Sequence, residues 1–335
     1  MKHARPAFAV VSILALGAPM SAIAQDEQPE TNETMSEAAM EHHDDQPGDT
    51  STIVGSIMQP PTAGPRVTLR GSYRLQFESD FDNAPGDFSV NRAFVGLNIA
   101  DSLNEDIFYS LDFLVEHSSY DFNAASSLVP GSNDPLDDAL SLTFTPSFRF
   151  ALSDEWAVHT GGALFVNGET DADFTQSVRA SVFGGVERKF SDRLTLSLLI
   201  VAWSRLEDSA QVFPLLTVSW QINELMRLQT RGLGAEFISD LGNGWSLGAR
   251  AAWEYREYRL SDSSGAPLPE GVLRDTGIVA SLELAWKPSH DVVLAIEGGG
   301  VLAQELEFLD RGGALISQTD ADPALFVGIR ASFAF

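Results

Sequence analysis

From Arg66 onward, apolar and polar residues alternate along the chain. Val67, Leu69, Tyr73, Leu75 and Phe77 interleave with Thr68, Arg70, Ser72, Arg74, Gln76 and Glu78. Leu140, Leu142, Phe144, Phe148 and Phe150 interleave with Ser141, Thr143, Thr145, Ser147 and Arg149. Trp245, Leu247, Ala249, Ala251, Trp253 and Tyr255 interleave with Ser246, Gly248, Arg250, Glu254 and Arg256. Successive side chains on a strand point to opposite faces, so each run has one apolar and one polar face. A helix needs apolar positions every three or four residues, a spacing these runs lack. The pattern predicts about fourteen strands, most of roughly ten residues or more, the length that crosses a bilayer as a tilted strand. The spans are 66–78, 89–100, 106–117, 139–151, 156–167, 177–190, 194–204, 212–222, 225–231, 234–241, 245–260, 276–287, 292–304 and 323–335. The pair around Gly232 to Gly234 is the shortest, and merging it leaves about twelve, still even.

The connections sort by length. Short ones follow the even strands: 101–104, 153–155, 191–193, 223–224, 242–244 and 288–291. Most of the longer ones, acidic or rich in Gly and Pro, follow the odd strands: 80–87, 118–138, 169–176, 261–275 and 305–322. An up-and-down barrel in a membrane has this parity, whereas a soluble sandwich has no reason for it. Phe150, Trp156, Phe190, Trp220, Trp245, Trp286 and Phe335 sit beside the short turns or the C-terminus. The expectation is an aromatic girdle at one membrane interface.

The last strand carries a family resemblance. Leu325, Val327, Ile329, Ala331, Phe333 and Phe335 share one face, and the chain ends on that Phe. In this the sequence resembles the bacterial outer-membrane β-barrel proteins, and among them the porin-like barrels of Gram-negative bacteria. The resemblance implies that this strand is the signal read by the barrel-assembly machinery. It implies short turns and both termini in the periplasm, and long loops outside. The N-terminus fits the same address. Lys2 and Arg5, the apolar run Ala7 to Leu16 and the small residues Ala22 and Ala24 read as a signal peptide over 1–24.

Composition changes the picture at three points. Residues 25–65 form a separate region, acidic to Thr50 without Lys or Arg, then Pro-containing, and are expected to be disordered. His42 and His43 beside Asp44 and Asp45 suit a divalent metal, but a solvated tail explains them more simply. The net charge of −26 excludes a nucleic-acid partner, because nothing resembles a basic phosphate-binding surface. Cysteine is absent, so no disulfide framework or thiolate metal site exists.

The barrel proper is thus expected over 66–335. Its polar face would hold Arg70, Arg74, Arg92, Asp112, Glu116, Arg149, Arg179, Glu187, Arg250, Glu254, Arg256, Glu283, Glu297 and Arg330. Two readings stand side by side. In one the lumen is a wet pore whose charges set selectivity. In the other an ion-pair network fills and closes the barrel. A structural or surface-interaction barrel is therefore the alternative to a passive channel. The acidic loops suit bridging by Mg²⁺ or Ca²⁺ to lipopolysaccharide, or simply solubility. A barrel acyl-hydrolase would need a Ser-His pair, and His117, His159 and His290 have only generic serine neighbours. No cofactor motif is present, and no metal site is expected in the barrel.

Overall fold

A computed structural model describes residues 65–263 and 266–335. The signal peptide and nearly all of the acidic segment therefore lie outside the described residues, as do His42 and His43. The strands are β1 (Arg66–Asp80), β2 (Asp87–Ser102), β3 (Ile107–Asn123), β4 (Asp138–Ala151), β5 (Trp156–Glu169), β6 (Val178–Ser191), β7 (Leu194–Arg205), β8 (Asp208–Gln221), β9 (Met226–Arg231), β10 (Gly234–Gly242), β11 (Trp245–Arg259), β12 (Val272–Ser289), β13 (Val292–Leu309), β14 (Leu315–Ala321) and β15 (Ala324–Ala334).

Each strand pairs antiparallel with its sequence neighbour from β1 to β13. β14 pairs with the upper end of β13 and β15 with its lower part, so the two are one wall strand interrupted at Asp322 and Pro323. The ring closes where β15 meets β1, with Tyr73 opposite Ile329 and Leu69 opposite Phe333. The result is a closed, antiparallel, up-and-down barrel of fourteen wall strands. Closure leaves no free edge at the junction, which a sheet in hydrocarbon requires.

Alternation builds the wall as the sequence predicts. Leu69, Val95, Val115, Leu164, Val182, Leu198, Ile200, Leu282, Ile296 and Ile329 are exposed on the outside. Thr68, Arg70, Arg74, Thr143, Thr145 and Ser197 are buried on the inside. The turns after the even strands gather at one end of the barrel and the long loops at the other, where the two-residue β7–β8 and β9–β10 turns also lie. At the turn end Trp156, Phe190, Trp220, Trp245 and Trp286 are exposed, with Phe150 less so. The Trp245 and Trp286 rings stack at 5.9 Å. The Arg188 guanidinium lies over Trp156 and Phe190, a cation–π arrangement suited to an interface. Leu325, Val327, Ile329, Phe333 and Phe335 face outward, and the smaller Ala331 is half-covered.

Three strands run further at the loop end than the alternation implies. β3 continues to Asn123, β12 begins at Val272 and β13 reaches Leu309, so parts of 118–138, 261–275 and 305–322 are strand rather than loop. There Leu273, Arg274 and Asp275 are all buried. Both faces are covered, and period two therefore disappears from the sequence.

A second departure concerns β11. Its upper residues from Glu254 to Arg259 are buried on both faces, including Tyr255, which alternation places outside. Arg259 forms a parallel bridge to Gly168 of β5, six strands away around the ring. The upper half of β11 has left the wall and crosses the lumen. Gly168 permits the approach: a Cβ there would lie 3.0 Å from the Arg259 carbonyl oxygen.

Candidate lumen site

All fourteen predicted lumen residues are buried or half-buried, twelve of them on the inner face of the wall and Glu254 and Arg256 on the part of β11 that is buried on both faces. They join in pairs. Arg70 Nη2 donates to both carboxylate oxygens of Asp112, at 2.6 and 2.7 Å. Arg149 bonds Glu187 at 2.8 Å, and His159 Nε2 meets the other Glu187 oxygen at 2.9 Å. Arg330 pairs with Glu283. These links join strands that are near neighbours in the ring and line the wall without obstructing it.

A second group joins the wall to the inward-bent strand. Glu254 on β11 accepts from Arg74 of β1 at 3.2 Å and from Arg256 at 2.8 Å. Arg256 in turn reaches Glu116 of β3 at 3.2 Å. Arg179 of β6 meets Glu257 at 3.3 Å, and Arg274 donates to the same carboxylate at 2.6 Å. Asp275 accepts from Arg92, Tyr120 and Gln304, each at 2.7 Å. Removing two ions from water costs several kcal/mol per ion unless geometry and extra hydrogen bonds compensate. Asp275 with three donors and Glu257 with three guanidiniums, those of Arg179, Arg205 and Arg274, meet that condition.

The crossing strand is held from the loop end as well. Leu206 in the β7–β8 turn donates its N–H to Glu257 at 3.0 Å, and Glu207 accepts from Arg259 at 2.6 Å. Gly313 in the β13–β14 turn packs on the Glu207 carbonyl, where a Cβ would come within 2.3 Å. The tip of the β11–β12 hairpin docks on β5 through the Ser261 N–H, which donates to Glu169, and through Ser261 Oγ, which donates to Asp171 at 2.8 Å. Glu169 lies past Val166, the last apolar outward residue of β5. Burial pushes its carboxyl up to about 6, against the pull of the Ser261 N–H bond, with the Asp171 charge adding to the rise.

Side chains therefore meet across the upper lumen, and the ion-pair reading describes this conformation. Toward the turn end a small cavity of about 20 Å³ remains, room for about one water. Arg74, Arg231, Glu236, Arg250, Glu297 and Arg330 border it. Among the described residues, Arg250 has no carboxylate nearer than Glu254 at 3.9 Å.

The sequence pattern missed several members of this network. Asp275 fell in a span read as loop. Glu257 and Arg259 share the parity of Trp253 and so counted as lipid-facing. Their charge was the available signal, because ionic residues on the lipid face of a barrel are costly. Arg231 and Glu236, paired at 3.0 Å, lie on the short β9–β10 hairpin, whose strands are too brief to show a full alternation. Among the described residues, no group of three or more His, Asp or Glu is arranged to hold a metal ion. His117 meets Asp138 at 3.2 Å on the exposed rim.

Fold, outer belt and charged interior together define a closed antiparallel β-barrel of the membrane-spanning type. No protein-family model matches the chain, and no match was found among curated proteins. Among solved structures it is similar to an outer-membrane channel from Pseudomonas putida F1, at 11% identity and a TM-score of 0.44, over 87% of this chain and 99% of that one. The toluene transporter TodX of P. putida matches at 10% identity and a TM-score of 0.40, over 82% and 90% of the two chains. The KdgM porin matches at 9% identity and a TM-score of 0.34, over 79% and 99%. The architecture stated above rests on this chain's own strand pairing.

Proposed function

We propose that the protein is a passive, non-enzymatic channel for small solutes in the outer membrane of a Gram-negative bacterium, with turns and termini on the periplasmic side. The observation that carries this reading is the content of the barrel. Its centre holds ion pairs and hydrogen bonds, where a structural barrel of this girth would be served as well by an apolar core. Buried ion pairs add little stability over well-packed hydrophobic residues. Their retention fits a lumen that hydrates when the β11–β12 hairpin moves outward. In that state Arg70, Arg74, Arg92, Arg149, Arg179, Arg250 and Arg330, with the facing carboxylates, would line the path. Outside, lipid and lipopolysaccharide would contact the apolar belt and the acidic loops. The outward face of β15 would engage the assembly machinery.

Reconstitution in a planar bilayer tests the channel. Discrete conductance steps are expected, infrequent in the native protein and longer-lived in Asp275→Asn, where Arg92 loses its ionic partner. Silence of both proteins at all voltages would overturn the channel and leave a closed structural barrel.

A further inference from the structure

On the turn side of the inward bend of β11, three guanidiniums share one small cavity. Arg74 comes from β1, Arg231 from the end of β9 and Arg250 from β11. Their side chains are only 3%, 6% and 6% exposed, so bulk water does little to solvate them. Arg231 donates from Nη1 to Glu236 at 3.0 Å, and Arg74 donates from Nη1 to Glu254 at 3.2 Å. Two nitrogens of each arginine are left. Nε and Nη2 of Arg74, Nε and Nη2 of Arg231, and Nε and Nη1 of Arg250 are buried with no hydrogen-bond acceptor among the described residues. A guanidinium carries donors only and stays charged, so buried edges of this kind call for an acceptor.

The neighbouring groups do not supply one. Glu297 stands 3.9 Å from Arg74, and Glu254 stands 3.9 Å from Arg250, both beyond hydrogen-bond length. Glu254 already accepts from Arg74 and Arg256, and Glu236 from Arg231 and Gln229. Arg74 rests the face of its guanidinium on the Phe326 ring at 4.5 Å, a contact that leaves the N–H edges unserved. Counting Arg330, four guanidiniums line the cavity against the three carboxylates of Glu236, Glu283 and Glu297. The lining therefore carries one positive charge in excess.

We infer that this cavity binds a single halide ion, chloride under natural conditions, held by Arg74, Arg231 and Arg250. The inference concerns the closed barrel and does not rest on conduction. Size restricts the ligand: about 20 Å³ holds one monatomic ion or one water, not a phosphate or a carboxylic acid. Water is the competing occupant. It accepts two hydrogen bonds and must place two protons of its own, whereas a halide accepts from every donor around it and cancels the excess charge.

Urea unfolding of the refolded full chain in detergent micelles tests the site. Sodium and ionic strength are held constant while chloride replaces gluconate, an anion too large for the cavity. The ratio of folded to unfolded protein should rise with chloride, approaching about tenfold for each tenfold increase once the site is nearly saturated. Arg250→Met should lose this dependence. Arg193→Met, which removes an exposed cation in the β6–β7 turn, should keep it. Heat-modifiable gel mobility verifies that each variant refolds. Crystals of the native chain in sodium bromide should show one anomalous peak bordered by Arg74, Arg231 and Arg250, which decides the matter if Arg250→Met does not fold. Equal chloride dependence in the native chain and Arg250→Met would overturn the site. So would a bromide crystal with ordered water in the cavity and no anomalous peak. Silence in the planar bilayer would count against the channel and leave the halide site standing.

Discussion

Two arcs of the same barrel follow different rules. Between β2 and β3 the ladder runs unbroken from Asp87 opposite Asn123 to Ser102 opposite Phe108, sixteen residue pairs. Between β8 and β9 it has three. In the first arc, inward and outward residues keep strict period two, and Val95, Phe113 and Val115 face out while Arg92, Asp112 and Glu116 face in. In the second, Tyr255 is buried although its parity is outward, and Glu257 is buried although it is charged. The difference shows what alternation measures. It reports the two environments of a strand that stays in the wall, lipid on one side and lumen on the other. Once a strand enters the interior, both sides are protein, and charge pairing takes over from polarity as the organising rule.

The largest effect should come where the bent arc is anchored. Asp275→Ala leaves Arg92 buried without its carboxylate and strands Tyr120 and Gln304. Breaking a buried pair costs ~3–5 kcal/mol. Urea unfolding of the refolded barrel should show a loss of that order. A loss as small as for an exposed residue would mean that β11 and β12 are not held in the lumen.

The regular arc is sharpened by a charge placed on its outer face. Val182 on β6 is exposed and lies about six residues above the turn end. Val182→Arg should cost ~2–4 kcal/mol, the penalty for Arg near the bilayer midplane. Leu241→Arg, beside the short turn at the end of β10, should cost only ~0–1 kcal/mol. Equal costs would place the belt incorrectly on one of the arcs.

The smallest effect is one of pH. The Glu169 carboxyl, raised to about 6 in the folded protein, favours the docked hairpin tip most when it is protonated. A group with a raised folded pKa contributes stability that is complete below its unfolded pKa and lost as pH rises through the folded one. Proteolysis or amide exchange over 260–271 should therefore be slower at pH 5 than at pH 8. Glu169→Gln should keep the slow behaviour at both values.

Much of the molecule is legible in the sequence alone. Period two located the wall strands, loop parity set the two ends, and the Gly232 hairpin proved to be a real pair, which decides fourteen wall strands over twelve. Twelve of the fourteen expected lumen residues lie on the inner face because β1 to β7, the lower part of β11 and β12 to β15 obey the alternation, while Glu254 and Arg256 belong to the part of β11 that is buried on both faces. Which residues meet across the lumen was not legible. Glu116 with Arg256, or Arg179 with Glu257, are contacts between distant strands, and local pattern carries no information on them. The inward turn of β11 did leave a mark, since Glu257 and Arg259 continue the parity of Trp245 to Trp253, but one or two charges do not say where such a strand goes.

The central claim is that the β11–β12 hairpin crosses the lumen and docks on β5. Spin labels on Asp171→Cys and Ser261→Cys, in a chain otherwise free of cysteine, measure that contact in lipid by pulsed dipolar spectroscopy. A single short distance, consistent with side chains that hydrogen-bond at 2.8 Å, is the predicted result. A distance near the width of the barrel, with no short component at any pH, would contradict it.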